Sequence, residues 1–346
     1  MDDGSSARII PLRGAQSAAL GSARLAARRL GARRGEPPGS ASPGASIHPF
    51  AGQDERARRT PVDEHGPLIE RRISAGLGFL QRRMSGDYSV DEFGFDEHLT
   101  DHAVLPLLAP LYERWFRVEV GGIEYVPDTG GALLVANHAG GLWGLDAVMT
   151  AVAVRREHPA GRHLRMLGAD LIFRTPLLGE VARKIGVTFA CNADAERLLA
   201  AGELVGVWPE GFKGIGKPFR ERYKLQRFGR GGFVHAAVRS SVPIVPVTII
   251  GSEEIHPVVG NAKTLARMLN LPYFPITPTF PLLGPLGLVP LPSKWYIEFG
   301  APIPTDELDP SAADDAAMIF DLTDRVRETI QSSIYRLLIQ RRSVWR

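Results

Sequence analysis

Apolar residues along this chain fall in short dense runs separated by stretches of helical periodicity, and the alternation begins near residue 67. Ala132-Leu133-Leu134-Val135-Ala136 has no polar position, as in a strand buried on both faces. Similar runs at 164–168, 187–190, 204–208, 243–250 and 295–299 read as strands, with a first strand at 117–120. Between them, 145–158, 176–186, 193–201 and 229–240 carry helical spacing, and two further helices are expected at 68–84 and 99–116. Strands alternating with helices predict an α/β fold, a mainly parallel sheet flanked by helices on both faces. Met318, Leu322, Val326, Ile330, Ile334 and Leu338 form a last apolar stripe, with arginines late as the helix dipole prefers. It predicts a C-terminal docking helix.

Two segments depart from this rhythm. Residues 1–60 lack sustained apolar periodicity and hold ten arginines against five acids, which predicts a disordered basic tail. A single folded domain is then expected over 67–342, with its core at about 115–300. Residues 272–292 are rich in proline but also in Phe and Leu, so they form neither a regular helix nor a central strand. Such a loop either folds over the core or meets an apolar partner. No apolar run reaches the ~20 residues that span a bilayer.

Composition adds bounds. A single cysteine, Cys191, excludes an internal disulfide and a cysteine-rich zinc site, and fits a reducing, cytoplasmic compartment. The nine histidines show no metal-ligand spacing with a third ligand, so no metal is expected. Positive charge is concentrated again at 212–230, seven Lys/Arg against Glu221, which suggests an anionic partner. That run has aromatic residues but no recognised nucleic-acid-binding signature, so nucleic acid is not an expected partner.

The chemistry gathers at two strand ends. After the 132–136 run come Asn137-His138-Ala139-Gly140-Gly141-Leu142-Trp143-Gly144-Leu145-Asp146. A strand ending in a glycine-rich turn presents an imidazole at the carboxyl edge of the sheet, and the next helix returns a carboxylate to it. After the 204–208 run comes Pro209-Glu210-Gly211-Phe212-Lys213. Residues 211–217 nearly match a phosphate loop, but Pro218 replaces its Ser/Thr and removes an amide, so nucleotide hydrolysis is rejected. No G-x-S-x-G elbow is present, so a covalent intermediate on such a serine is not expected.

The His138…Asp146 block, the Trp208-Pro209-Glu210-Gly211 block and Val242-Pro243-Ile244-Val245-Pro246-Val247, in that order, resemble the glycerolipid (lysophospholipid) acyltransferase superfamily typified by 1-acylglycerol-3-phosphate acyltransferases. The resemblance covers about residues 115–300. It implies transfer of an acyl chain from acyl-CoA or an acyl carrier protein thioester to a glycerolipid hydroxyl, in phospholipid biosynthesis or remodelling, with no cofactor. It also implies a peripheral enzyme at the cytoplasmic face of an anionic membrane surface. His138 is then the base and Asp146 its orienter. Asn137, Glu210, Gly211, Lys213, Lys217 and Arg220 are expected to bind substrate, and the Gly140 and Gly141 amides are oxyanion candidates. Two features depart from the family pattern: seven residues rather than four separate His138 from Asp146, and 187–194 lacks the arginine many members place there. A lipid esterase using the same site, or a binding module for anionic membranes or nucleic acid, are the alternative readings.

Overall fold

The computed structural model describes residues 8–10, 89–175 and 177–345. The expected basic tail and the helix at 68–84 lie outside these residues, apart from Arg8–Ile10, which pair in parallel with Ser89–Asp91.

Seven strands form one sheet: β1 Glu119–Gly121, β2 Ala132–Ala136, β3 Leu164–Gly168, β4 Val187–Phe189, β5 Leu204–Val207, β6 Ile244–Ile250 and β7 Tyr296–Phe299. Their order is β1-β7-β6-β2-β5-β3-β4. The five strands from β6 to β4 are parallel, as the alternation predicts, while β7 runs antiparallel to β6 and parallel to β1. Every residue of β2 and β6 is buried, which places both at the centre of the sheet.

Successive side chains of a strand point to opposite faces, and each face here has its own core. Leu133 and Val135 pack with α3 Asn192–Ala200, α4 Gly232–Arg239 and α5 Ala316–Gln340 through Leu198, Val234 and Ile330. Ala132, Leu134 and Ala136 face the other way, against Met149 and Val152 of α1 Leu145–Glu157 and against Phe116 and Trp295. α2 Leu178–Lys184 closes that side beside β3 and β4.

The helix expected at 229–240 begins only at Gly232, because Gly231 sits at φ +76°, outside the helical basin. On α5 the fully buried stripe is Ile319, Thr323, Val326, Ile330, Ile334 and Leu337, so the expected Met318, Leu322 and Leu338 flank it instead. The helix expected at 99–116 is an alternation of α and π turns, Thr100–Val104, Leu105–Pro110 and Leu111–Trp115. No described helix is long and apolar enough to cross a membrane.

The 272–292 loop divides between the two expected behaviours. Tyr273 and Thr277 are buried, whereas Leu282, Leu283, Leu286 and Val289 are exposed by 83%, 53%, 74% and 51%. One side of the loop covers the protein and the other offers an apolar surface to its surroundings.

Candidate active site

β2 delivers Asn137 and His138 to the carboxyl edge of the sheet. Asn137 is fully buried and clamps the neighbouring strand: its Nδ2 donates to Ile249 O at 2.8 Å and its Oδ1 accepts from Ile249 N at 2.8 Å. Its expected contact with substrate is therefore corrected to a structural one, since its amide is spent on β6. His138, the next residue, is the first side chain free of the sheet.

His138 Nδ1 lies 2.6 Å from Asp146 Oδ2. The same oxygen accepts the Ala139 amide at 2.8 Å, and Oδ1 accepts the Ala147 amide at 2.9 Å. Burial alone would push the Asp146 carboxyl up, but the His138 charge and these hydrogen bonds outweigh it and hold the group below the usual carboxylate range. An ionised carboxylate only accepts, so the proton of the short contact belongs to Nδ1. Nε2, on a side chain 13% exposed, makes no hydrogen bond among the described residues and is left open to a substrate.

The widened spacing is absorbed by a compact bulge. Gly141–Trp143 form one 3₁₀ turn, and Gly144 enters α1 at φ +58°. The two leading glycines are there for different reasons. A Cβ on Gly140 would lie 2.0 Å from Asp146 Oδ1 and 2.4 Å from Asp146 N. A Cβ on Gly141, at φ +62°, would lie 2.3 Å from His256 Nδ1. The structure therefore places both oxyanion candidates against the His138–Asp146 pair or its neighbour.

At the end of β5, Glu210 is also buried. Its Oε1 accepts the His138 amide at 2.9 Å and its Oε2 the Gln226 amide at 2.6 Å. Lys217 Nζ lies 3.4 Å from Glu210 and 3.1 Å from Glu253, and donates to Lys224 O at 3.1 Å. The expectation that Glu210 and Lys217 meet substrate is corrected for the same reason as Asn137: their polar atoms are satisfied within the protein. They position the backbone of His138. Burial pushes the Glu253 carboxyl up to about 7 despite Lys217. The neighbouring Glu254 pairs with Tyr223 Oη at 2.5 Å and Arg341 Nη1 at 2.7 Å, which ties the end of α5 to this buried network.

Gly211, at φ +53°, turns the chain into the short helix Phe212–Ile215, and its Cβ position is open. Lys213 and Arg220 are exposed, Arg220 close to Glu221 at 3.7 Å. They are available to an anion, unlike Lys217. Gly214, which no sequence motif marks, packs so closely that a Cβ would lie 2.5 Å from His138 O.

Beside the pair lies a pocket lined by Ala139 and Gly141 on one side and by Ile215, Phe219, Tyr273 and Leu288 on the other. His256 closes it, with Nε2 3.0 Å from Leu288 O and Nδ1 buried without a partner. Burial lowers its pKa, so it stays neutral near pH 7. His256 carries no motif and is 118 residues from His138, so only folding reveals it. Folding also gathers Glu97, Asp101 and His163 into a cluster that sequence spacing could not show, though Arg155 holds Asp101 by two hydrogen bonds of 3.0 and 2.8 Å.

The family model for acyltransferases matches residues 117–250, a span that includes His138, Asp146 and Glu210. An uncharacterized protein of Mycobacterium tuberculosis is 59% identical over 273 residues, 79% of this chain and 76% of that protein. A bovine protein described as a DGAT1/2-independent enzyme synthesizing storage lipids is 22% identical over 226 residues, 64% of each chain. Among solved structures, the 1-acyl-sn-glycerophosphate (LPA) acyltransferase PlsC from Thermotoga maritima matches with a TM-score of 0.44 and 17% identity, over 78% of this chain and 97% of that one. Placed by the matched model and by the ordered His138…Asp146 and Pro209-Glu210-Gly211 blocks within it, the chain belongs to the acyltransferase family, in the glycerolipid acyltransferase superfamily.

Proposed function

We propose that the protein transfers an acyl chain from an acyl thioester, acyl-CoA or acyl carrier protein, to a hydroxyl of a glycerolipid. The single observation that carries this reading is the 2.6 Å contact between His138 Nδ1 and a buried, ionised Asp146, maintained across seven intervening residues. His138 Nε2 takes the proton of the acceptor hydroxyl as its oxygen attacks the thioester carbonyl. Asp146 fixes the tautomer and stabilises the imidazolium. The amides of Gly140 and Gly141 are the donors proposed for the oxyanion of the tetrahedral intermediate. Collapse breaks the carbon–sulfur bond, and the thiolate recovers the proton from His138. The oxygen ester and the free thiol are the products.

Glu210 acts one step removed, because it holds the His138 backbone rather than the ring. Lys213 and Arg220 supply exposed positive charge near the same strand end for an anionic group of donor or acceptor. The exposed leucines of the 272–292 loop support work at a membrane surface, and the same proposal puts it on the cytoplasmic face in phospholipid biosynthesis or remodelling.

The test is to incubate the purified protein with acyl-CoA and a panel of lysophospholipids and diacylglycerols, and to identify the acylated product by mass. His138→Ala should lower the rate by about 10²–10⁴-fold with the fold intact, the range that a positioned base contributes. Near wild-type turnover in His138→Ala would falsify the mechanism.

A further inference from the structure

On the face of the sheet opposite α1, a groove of about 1010 Å³ runs between the start of α4 and the first half of α5. Three guanidinium groups line it: Arg227 and Arg230 from the connection into α4, and Arg327 from α5. None of the three forms an ion pair among the described residues, and Arg327 Nε is buried without a hydrogen-bond partner. Three unpaired guanidinium groups lining one concavity leave their N–H donors free for an anion. Two acids, Asp314 and Asp324, stand on the rim, yet neither comes within ion-pairing distance of these arginines.

The backbone adds to the charge. α4 begins on Gly231 at φ +76°, with no side-chain cap, so its first amides are left for something else to satisfy. The glycines have reasons of packing too: a Cβ on Gly231 would meet Ile319 Cγ2 at 2.4 Å, and one on Gly232 would come within 3.1 Å of Asn192 Oδ1. The run Arg227-Phe228-Gly229-Arg230-Gly231-Gly232 is thereby seated against α5 and the start of α3, with its arginines lining the groove.

The groove adjoins the strand end that carries Glu210. Gln226, one residue before Arg227, donates its amide to Glu210, the residue that holds His138. A second cleft of about 200 Å³, lined by Pro209 and by Gly229–Gly232, extends the groove toward that strand end.

We propose that Arg227, Arg230 and Arg327 form a binding site for a phosphate monoester of one of the two substrates. A terminal phosphate offers three acceptor oxygens, and planar guanidinium groups bind such oxygens in pairs. The acyl-transfer reading enters only in naming the two sources of that phosphate. They are the 3′-phosphate of coenzyme A and the headgroup phosphate of a lysophosphatidate. The site differs from the exposed Lys213 and Arg220, which lie beyond the first turn of the Glu210 loop.

The test reads equilibrium binding without turnover, at 0.15 M salt, using the full chain. One arm compares coenzyme A with dephospho-coenzyme A, and the other compares lysophosphatidic acid with monoacylglycerol in the same detergent. The wild type should prefer the phosphorylated member of one pair by at least ~10-fold, and the pair identifies the source. Arg230→Gln should erase most of that preference, and Arg227→Gln with Arg327→Gln the remainder. Arg230 is exposed, so its variant folds even if the double variant does not. No preference in either pair, or a preference that survives Arg230→Gln and Arg227→Gln, overturns the site. Loss of transfer in His138→Ala leaves this binding unaffected, so failure of the chemistry and failure of the groove are separable.

Discussion

Replacing Gly140 by alanine should disable the site through a single methyl group. The new Cβ would lie 2.0 Å from Asp146 Oδ1, 2.4 Å from Asp146 N and 2.5 Å from Leu145 N, against a floor of 3.0 Å for real Cβ contacts. The backbone itself is not the obstacle, because Gly140 sits at φ −71° and ψ 18°. At least one of the bulge and the start of α1 must therefore move by about an ångström or more. The His138–Asp146 contact, at 2.6 Å, breaks under a displacement of that size. A misplacement of about 1 Å costs on the order of 10²-fold in rate, and complete loss of the orienting acid about 10⁴-fold. Turnover of Gly140→Ala should fall between these limits, while overpacking removes about 1–3 kcal/mol of stability.

The control is Gly144→Ala in the same bulge. Its φ of +58° is left-handed, but its Cβ position has nothing within 4 Å. The cost is then conformational, about 1–2 kcal/mol, with no push on the catalytic pair. Initial rates with acyl-CoA and a lysophospholipid, paired with denaturant unfolding, separate the two. Equal stability losses with turnover lost only in Gly140→Ala support the contact. Wild-type turnover in Gly140→Ala would refute the claim that Gly140 lacks a side chain to admit Asp146.

Three further outcomes are expected. Glu210→Ala leaves the His138 and Gln226 amides unpaired and Lys217 facing only Glu253, so it should cost about 3–5 kcal/mol in chemical denaturation, and a loss under 0.5 would contradict its anchoring role. Glu253 carries a folded pKa raised to about 7 from 4.5, so its contribution is fully present below the unfolded value and is lost as pH rises through the folded one, about 3 kcal/mol in all. Stability measured from pH 4 to 8 should show that decline, and Glu253→Gln should flatten it. Serine at Leu282, Leu283 and Leu286 should leave the unfolding temperature unchanged because all three are exposed, yet cut co-sedimentation with anionic vesicles by more than ~10-fold, given ~1.5–3 kcal/mol for each leucine buried; equal sedimentation would remove the loop from the membrane surface.

Local patterns carried much of this architecture. Ala132–Ala136 is legible as a central strand because burial on both faces leaves no polar position, and α1 follows because Leu145 to Glu157 holds neither glycine nor proline after a glycine-rich turn. The His138…Asp146 pair is legible because its members flank one strand end and one helix start. What stayed hidden depends on contacts across long separations. Nothing local marks β7 as antiparallel, since its direction is set by how the chain returns from Ile250 to Tyr296. Asn137, Glu210 and Lys217 look like substrate ligands in sequence because their polar groups are visible there, but their partners Ile249, Gln226 and Glu253 are not. His256 is hidden for the same reason.

These hidden contacts explain why a widened loop still leaves His138 and Asp146 in contact. His138 is fixed from three directions: its ring by Asp146, its amide by Glu210, and its carbonyl by the close approach of Gly214. None of these constraints comes from residues 141–144, so the bulge is free to take its own conformation provided that Gly140 has no side chain. Gly141 instead packs on His256, which is hydrogen-bonded to Leu288 of the apolar loop. The inserted residues thus form a contact chain from the turn after His138 to the segment bearing the exposed leucines. A substitution at Gly141 should therefore disturb the seating of His256 and that loop before it disturbs the His138–Asp146 pair. A substitution at Gly140 should do the reverse.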